Sequence, residues 1–186
     1  MKNILFVNAC VMRETSRTQR LADAFLGTLD GEITELTLSD AGIVGLTEET
    51  LAFRNKCVEK KDFSDEMFDA AKQFKEADEI VIAAPYWDLS FPAALKEYVE
   101  QLCVNGLTFS YSEEGIPVGH CTANRVTYIT TVGGYTGDTL NMGYDYIAAV
   151  CRGYFGIEDV RCIKAEGLDI WGNDAEAILA EAIAAL

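Results

Sequence analysis

Apolar positions along the chain fall into two rhythms that take turns. Asn3–Val7 is a short apolar run of the kind that forms a strand covered on both faces. Thr18–Leu29 then places Leu21, Ala24, Phe25 and Leu29 at helical spacing. Ile33–Leu38 alternates apolar with polar residues and reads as a strand nearer a sheet edge. Ser64–Ala77 is helical, with Met67, Phe68, Ala71 and Phe74 on one side, and Ile80–Ala84 is a second buried strand stopped by Pro85. The pattern continues with a helix over Ala93–Leu102, a strand over Val126–Thr131, a mostly helical stretch over Gly143–Tyr154, a strand over Val160–Ala165 and an Ala-rich closing helix over Asp174–Leu186.

Strands that alternate with helices call for a parallel sheet with helices on both faces, because each crossover has to return over the sheet. Five strands suit a flavodoxin-like winding or a small Rossmann half. Two segments break the alternation. Leu46–Lys61 is a polar, helical insertion, and Asn105–His120 carries Phe109, Tyr111, Gly115 and Pro117 as an ordered excursion or hairpin. With 186 residues, no internal repeat and no Pro/Gly/Ser-rich linker, one domain over 1–186 is expected.

Charge narrows the function. The net charge is -15, which argues against nucleic acid and against an anionic membrane surface. An anionic ligand would have to be held by local N–H groups. No apolar run reaches the roughly 18 residues that span a bilayer. The short apolar start, MKNILFVNAC, passes straight into polar sequence, so it reads as a strand of a cytoplasmic protein. The six cysteines form no CxxC pair and His120 is the only histidine, so no metal site is expected and the thiols read as reduced and structural.

In such a sheet, ligands sit beyond the carboxyl ends of the strands, and three loops lie there. Asn8–Arg17 ends in Thr15-Ser16-Arg17-Thr18 and opens a helix, which suits an anion site and equally suits plain N-capping. It holds neither GxGxxG nor GxxxxGK[ST]. Pro85-Tyr86-Trp87-Asp88-Leu89-Ser90-Phe91-Pro92 offers an aromatic wall for a flat ligand, or a cover for the sheet end or a second subunit. Thr130-Thr131-Val132-Gly133-Gly134-Tyr135-Thr136-Gly137 lets the backbone approach a ligand closely, or is a glycine-rich turn. A phosphorylated flat heterocycle would use all three loops together.

These residues resemble the FMN-dependent NADH–azoreductase and NAD(P)H–quinone reductase family, which has a flavodoxin-like fold. The resemblance is carried by Ser16-Arg17-Thr18-Gln19-Arg20-Leu21-Ala22, by Ala84–Lys96 as the most specific match, by Gly106–Tyr111, by Thr131–Gly134 and by Ala165-Glu166-Gly167. It implies FMN as cofactor and NADH or NADPH as donor. Ser16, Thr18 and the backbone of Arg17 would hold the phosphate. Pro85, Tyr86, Trp87, Asp88 and Leu89 would pass along the flavin edge. Thr131, Val132, Gly133 and Gly134 would lie by the ring, with Tyr135 closing over it and Cys10 at the base of the first loop. The chain departs from the family at Asp88, where members commonly carry Asn, and at Val132, where they often carry Arg. At Ala9 or Cys10 they carry a small polar residue.

The activity so implied is ping-pong hydride transfer from NAD(P)H to a quinone, azo or nitro acceptor, with no dedicated catalytic side chain. The resemblance also implies a homodimer, and the aromatic excess on the excursions beyond the sheet puts Trp87 and Phe109–Tyr111 at its expected interface. The alternatives are a flavodoxin-type electron carrier that docks to protein partners, and a flavin-free binding module of the same fold.

Overall fold

The computed structural model describes residues 1–137 and 139–186. Five strands form one sheet in the order β2-β1-β3-β6-β7. They are β1 (Asn3–Asn8), β2 (Glu32–Thr37), β3 (Glu79–Ala83), β6 (Val126–Thr131) and β7 (Val160–Ala165), and every neighbouring pair is parallel. Two short strands, β4 (Phe109–Tyr111) and β5 (Pro117–Gly119), make a separate antiparallel hairpin out of the expected excursion.

Side chains of the central strands alternate between two cores. Leu5, Val7, Ile80, Ile82, Val126 and Tyr128 face one way and pack with Phe68, Phe74, Leu95, Tyr98 and Ile147. These partners come from the turn Glu66–Phe68 and from α3 (Asp69–Glu76), α4 (Ala93–Leu102) and α5 (Met142–Val150). Ile4, Phe6, Val81, Ala83 and Ile129 face the other way, onto Leu21, Ala22 and Leu179 of α1 (Arg17–Leu26) and α6 (Ala175–Ala184). Both faces of β1, β3 and β6 are thereby covered, which is why Ile4–Val7 and Ile80–Ala83 are apolar without a break, while β6 buries Thr127 and Thr130 beside Val126, Tyr128 and Ile129. β2 sits at an edge and stays largely exposed, as its alternation required.

Local chemistry sets the helix ends. Ser16 caps α1 by accepting the Gln19 N–H at 3.2 Å, and the helix stops at Gly27, before the expected Leu29. The polar insertion is α2 (Glu48–Lys60), opened by a reciprocal Thr47–Thr50 capping box. It buries none of its residues fully and is tied down through Arg54, which donates to the Glu100 carbonyl at 2.8 Å and to that of Cys103. α5 widens into a π-turn, Cys151–Phe155, that ends at Gly156 in the left-handed region. No helix among the described residues is long and apolar enough to cross a membrane.

Candidate functional site

The loops that follow β1, β3, β6 and β7 meet at one end of the sheet around a cavity of about 270 Å³. Of the residues expected at a ligand, Ser16, Arg17, Thr18, Pro85, Tyr86, Trp87, Thr131, Val132 and Gly133 line it. Val11, Met12 and Thr15 of the first loop line it too, as do Leu168 and Asp169 after β7. A wider groove of about 830 Å³ lies between the 41–47 loop and the start of α3, with Leu36, Ile43, Leu46 and Met67 in its walls. Thr47, Thr50, Gln73 and Gln101 also line it, together with the carboxylates Asp65, Glu66 and Asp69, and none of the residues expected at a ligand does.

Asn8, buried at the end of β1, organises the first loop. Its Nδ2 donates to Gln19 Oε1 at 2.7 Å and to Glu35 Oε1 at 2.8 Å, and its Oδ1 accepts the Cys10 N–H at 2.9 Å. All the hydrogen-bonding atoms of the amide are used, so one side chain locks β1, β2 and α1 together. Cys10 lies beneath the cavity rather than in its wall. Burial pushes its thiol up to about 11, against a hydrogen bond with Ser16 that works the other way, so it stays a protonated, packed group. Among the described residues, the first-turn N–H groups of Arg17 and Thr18 meet no acceptor, and both residues line the cavity. The Thr18 and Thr131 hydroxyls lie 2.6 Å apart and share one hydrogen bond, which leaves one of the two protons for a ligand.

Tyr86 and Trp87 form the second wall. The Tyr86 N–H donates to the Thr131 carbonyl at 3.4 Å, and its hydroxyl donates to the Leu140 carbonyl at 2.8 Å. Trp87 and Ser90 exchange both backbone hydrogen bonds, at 3.2 and 2.7 Å, around a two-residue turn. Asp88 and Leu89 form its tip with φ of 50° and 68°. That backbone favours Asn-Gly. It carries both side chains into solvent, so neither lines the cavity.

The third wall is bound to the segment after β7. Gly167 N–H donates to Gly134 O at 2.7 Å, Asp169 N–H to Gly133 O at 2.9 Å and Leu168 N–H to Val132 O at 3.2 Å. Glu166 anchors the same loop by accepting from the Thr136 N–H at 2.9 Å, from the Thr136 hydroxyl and from Lys164 at 3.0 Å. Burial works to raise the Glu166 carboxyl, but these donors outweigh it and hold the group below its ordinary value. Gly134 and Tyr135 do not line the cavity. The Tyr135 ring is folded back with its hydroxyl against Gly167, not over the cavity mouth. Gly133 does line it, and a Cβ there would collide with the Asp169 carboxylate. Asp169 had no motif of its own. The one sequence signal near it was Ala165-Glu166-Gly167, which ends β7 just upstream.

The lining of this cavity brings together the hydroxyls and first-turn N–H groups at the start of α1, a proline–aromatic wall and a glycine wall. The residues therefore fit a phosphate monoester joined to a flat ring. A doubly wound parallel sheet with such a cavity beyond its strand ends is a nucleotide-type ligand-binding protein of the α/β class. A model of the flavodoxin-like fold family matches residues 2–186, and the chain belongs to that family. It is 39% identical to an FMN-dependent NADH:quinone oxidoreductase 2 of Clostridium acetobutylicum, over 98% of this chain and 95% of that protein. An FMN-dependent NADH:quinone oxidoreductase of Clostridium perfringens is 35% identical with the same coverage. Among solved structures, an azoreductase from Bacillus anthracis superposes with a TM-score of 0.85 at 25% identity, covering 100% of this chain and 96% of the other. The resemblance read in the three loops and the flavodoxin-like winding are both borne out.

Proposed function

We propose that the chain is an FMN-dependent oxidoreductase that takes electrons from NADH and gives them to small quinone or azo acceptors, with nitro compounds as a further class. The observation that carries this reading is the convergence of three loops on one cavity. They bring the open N–H groups at the start of α1, the Tyr86–Trp87 wall and the Gly133 wall. Relatives named for FMN, NADH and quinone match along nearly the whole chain and add support. When bound, FMN supplies the hydride chemistry. The N–H groups of Arg17 and Thr18, the Ser16 hydroxyl and the Thr18–Thr131 pair would hold its phosphate. This follows from the helix start, where the macrodipole favours a negative charge despite the acidic surface. Pro85, Tyr86 and Trp87 would orient the ring, and the Tyr86–Leu140 hydrogen bond keeps their loop fixed on the third loop. No side chain is asked to move a proton. Donor and acceptor use the same open mouth in turn, which is a ping-pong order. Six free thiols fit the reducing cytoplasm.

The test is an anaerobic titration. Protein loaded with FMN should lose its flavin absorbance on addition of NADH and regain it on addition of a water-soluble quinone, with steady NADH oxidation when both are present. Bleaching without quinone turnover would favour the electron carrier, and protein that takes up no FMN would end the flavin reading.

A homodimer belongs to the same proposal. Trp87 of the cavity lining is 46% exposed, and Leu89 and Tyr135 on the loops that carry the site are exposed at 44% and 65%. Tyr111 is exposed on the hairpin, whereas Phe109 is buried, packed at 4.8 Å on Tyr154 of its own chain. The interface expected over Phe109–Tyr111 is therefore open to Tyr111 and not to Phe109. Light scattering at micromolar concentration should give the dimer mass, and a monomer mass would remove this part of the proposal.

A further inference from the structure

Arg17 and Asp169 are the two charged side chains among the described residues that line the strand-end cavity. They come from opposite walls. Arg17 opens α1 beside the unpaired N–H groups, while Asp169 follows β7 and is fixed to Gly133 by its own N–H at 2.9 Å. Arg17 Nη2 donates to Asp169 Oδ1 at 2.8 Å, and Nη1 donates to the Leu168 carbonyl at 3.2 Å. The other carboxylate oxygen, Oδ2, lies on Gly133, in the place a Cβ would need. The guanidinium is thus held at two points by the wall opposite its own.

A free guanidinium next to a helix start would be a strong grip for any phosphate, since charge-assisted and bidentate hydrogen bonds are the strong ones. Here that grip is already taken by a carboxylate, which also repels an incoming anion. A phosphate entering this cavity meets backbone N–H groups and hydroxyls, but not an available cation of the described lining.

We propose that Asp169 sets the selectivity of the cavity by withholding Arg17 from the ligand phosphate. The phosphate grip stays weak, so a ligand is retained only when its flat ring also engages the Pro85–Trp87 wall. Phosphate monoesters without such a ring, and inorganic phosphate itself, are thereby excluded. Asp169 acts through Arg17 and is a positioning residue. This inference rests on the flavin reading above.

The experiment is a flavin-fluorescence titration of wild type and Asp169→Asn with FMN and with riboflavin, and with inorganic phosphate as competitor. With Arg17 released, FMN should bind about tenfold more tightly, the scale of one hydrogen bond to a charged group. Inorganic phosphate should compete at about tenfold lower concentration, and riboflavin affinity should stay within about twofold because it has no phosphate to meet the freed cation. Asp169→Ser should move all three in the same direction. In an Arg17→Met background the gain from Asp169→Asn should fall below about threefold, because the donor is gone. FMN and phosphate affinities that stay unchanged or fall in both Asp169 variants overturn the inference, as does a full gain that persists without Arg17. A parallel loss for FMN and riboflavin also overturns it, since that is the mark of a merely structural residue. Wild-type protein that binds neither flavin refutes the flavin reading and this inference with it. Normal wild-type binding with an unmoved Asp169→Asn refutes the inference alone.

Discussion

The hydroxyls of Thr18 and Thr131 lie 2.6 Å apart although 113 residues separate them in the chain. Thr18 stands in the first turn of α1 and is 1% exposed, while Thr131 is the last residue of β6. Their hydrogen bond fastens the start of the first helix to the third ligand loop at the cavity wall. Thr18→Val keeps the shape but leaves Thr131 without its partner. It should cost about 1 kcal/mol in urea denaturation. Thr18→Val with Thr131→Val should cost clearly less than the two single changes added together. Additive costs would mean that the pair is not a bond that matters to stability.

Ser16 has two duties that one substitution can separate. Its Oγ caps α1, and the residue lines the cavity at the proposed phosphate site. Glycine is an adequate N-cap and costs only a few tenths of a kcal/mol there. Ser16→Gly should leave the melting temperature almost unchanged. It should weaken FMN about tenfold, through the lost hydrogen bond to a charged group, with riboflavin affinity unaltered. Equal weakening of both ligands would take Ser16 away from the phosphate.

Asp88 and Leu89 both hold left-handed backbone without being glycine, which costs about 1–2 kcal/mol per residue. Leu89 is 44% exposed and belongs to neither buried core, so its truncation removes only peripheral packing. Against this, glycine adds roughly 0.5–1 kcal/mol of chain entropy to be lost on folding. The balance favours Leu89→Gly by a fraction of a kcal/mol up to about 1, a rise in Tm of up to roughly 2–4 °C for a chain of this size. A lower Tm in calorimetry would show that the Leu89 side chain makes a contact that outweighs the strain, for instance across a dimer.

Glu166 should make the third loop sensitive to acid. Its carboxyl is held below the ordinary 4.5 by Thr136 and Lys164 against the opposing effect of burial. A depressed folded value gives stability that is fully present above the unfolded pKa and is lost as pH falls through the folded one. Hydrogen exchange of the 132–137 segment should therefore accelerate, relative to the rest of the chain, below about pH 4. Glu166→Gln should show the faster exchange already at pH 7 and lose that pH dependence. A wild-type loop whose protection does not change between pH 6 and the acid limit of folding would remove Glu166 as its anchor.

Asn3–Val7, Ile80–Ala84 and the alternating Ile33–Leu38 carried the fold openly, because strand burial is written in neighbouring residues. An apolar run needs two covered faces, and alternation needs an edge. Handedness of the crossovers then brought the three ligand loops to one end of the sheet. Pro85, Tyr86, Trp87 and Gly133 were legible for the same local reason: a proline–aromatic or glycine-rich turn has few uses other than a wall or a close approach. What the sequence could not carry were partnerships over long separations. Arg17 meets Asp169 across 152 positions, and Thr18 meets Thr131 across 113. Both pairs exist because β6 and β7 lie side by side in register and α1 packs over them. Tyr135 turned back onto Gly167, and Phe109 went under Tyr154, because the 165–169 segment and the π-turn offered backbone and ring partners that no local pattern reveals. Local periodicity thus determined the sheet and the place of the site. Tertiary packing alone decided which side chains face the cavity, since a side chain's direction follows from the neighbour it can satisfy and not from its place in a motif.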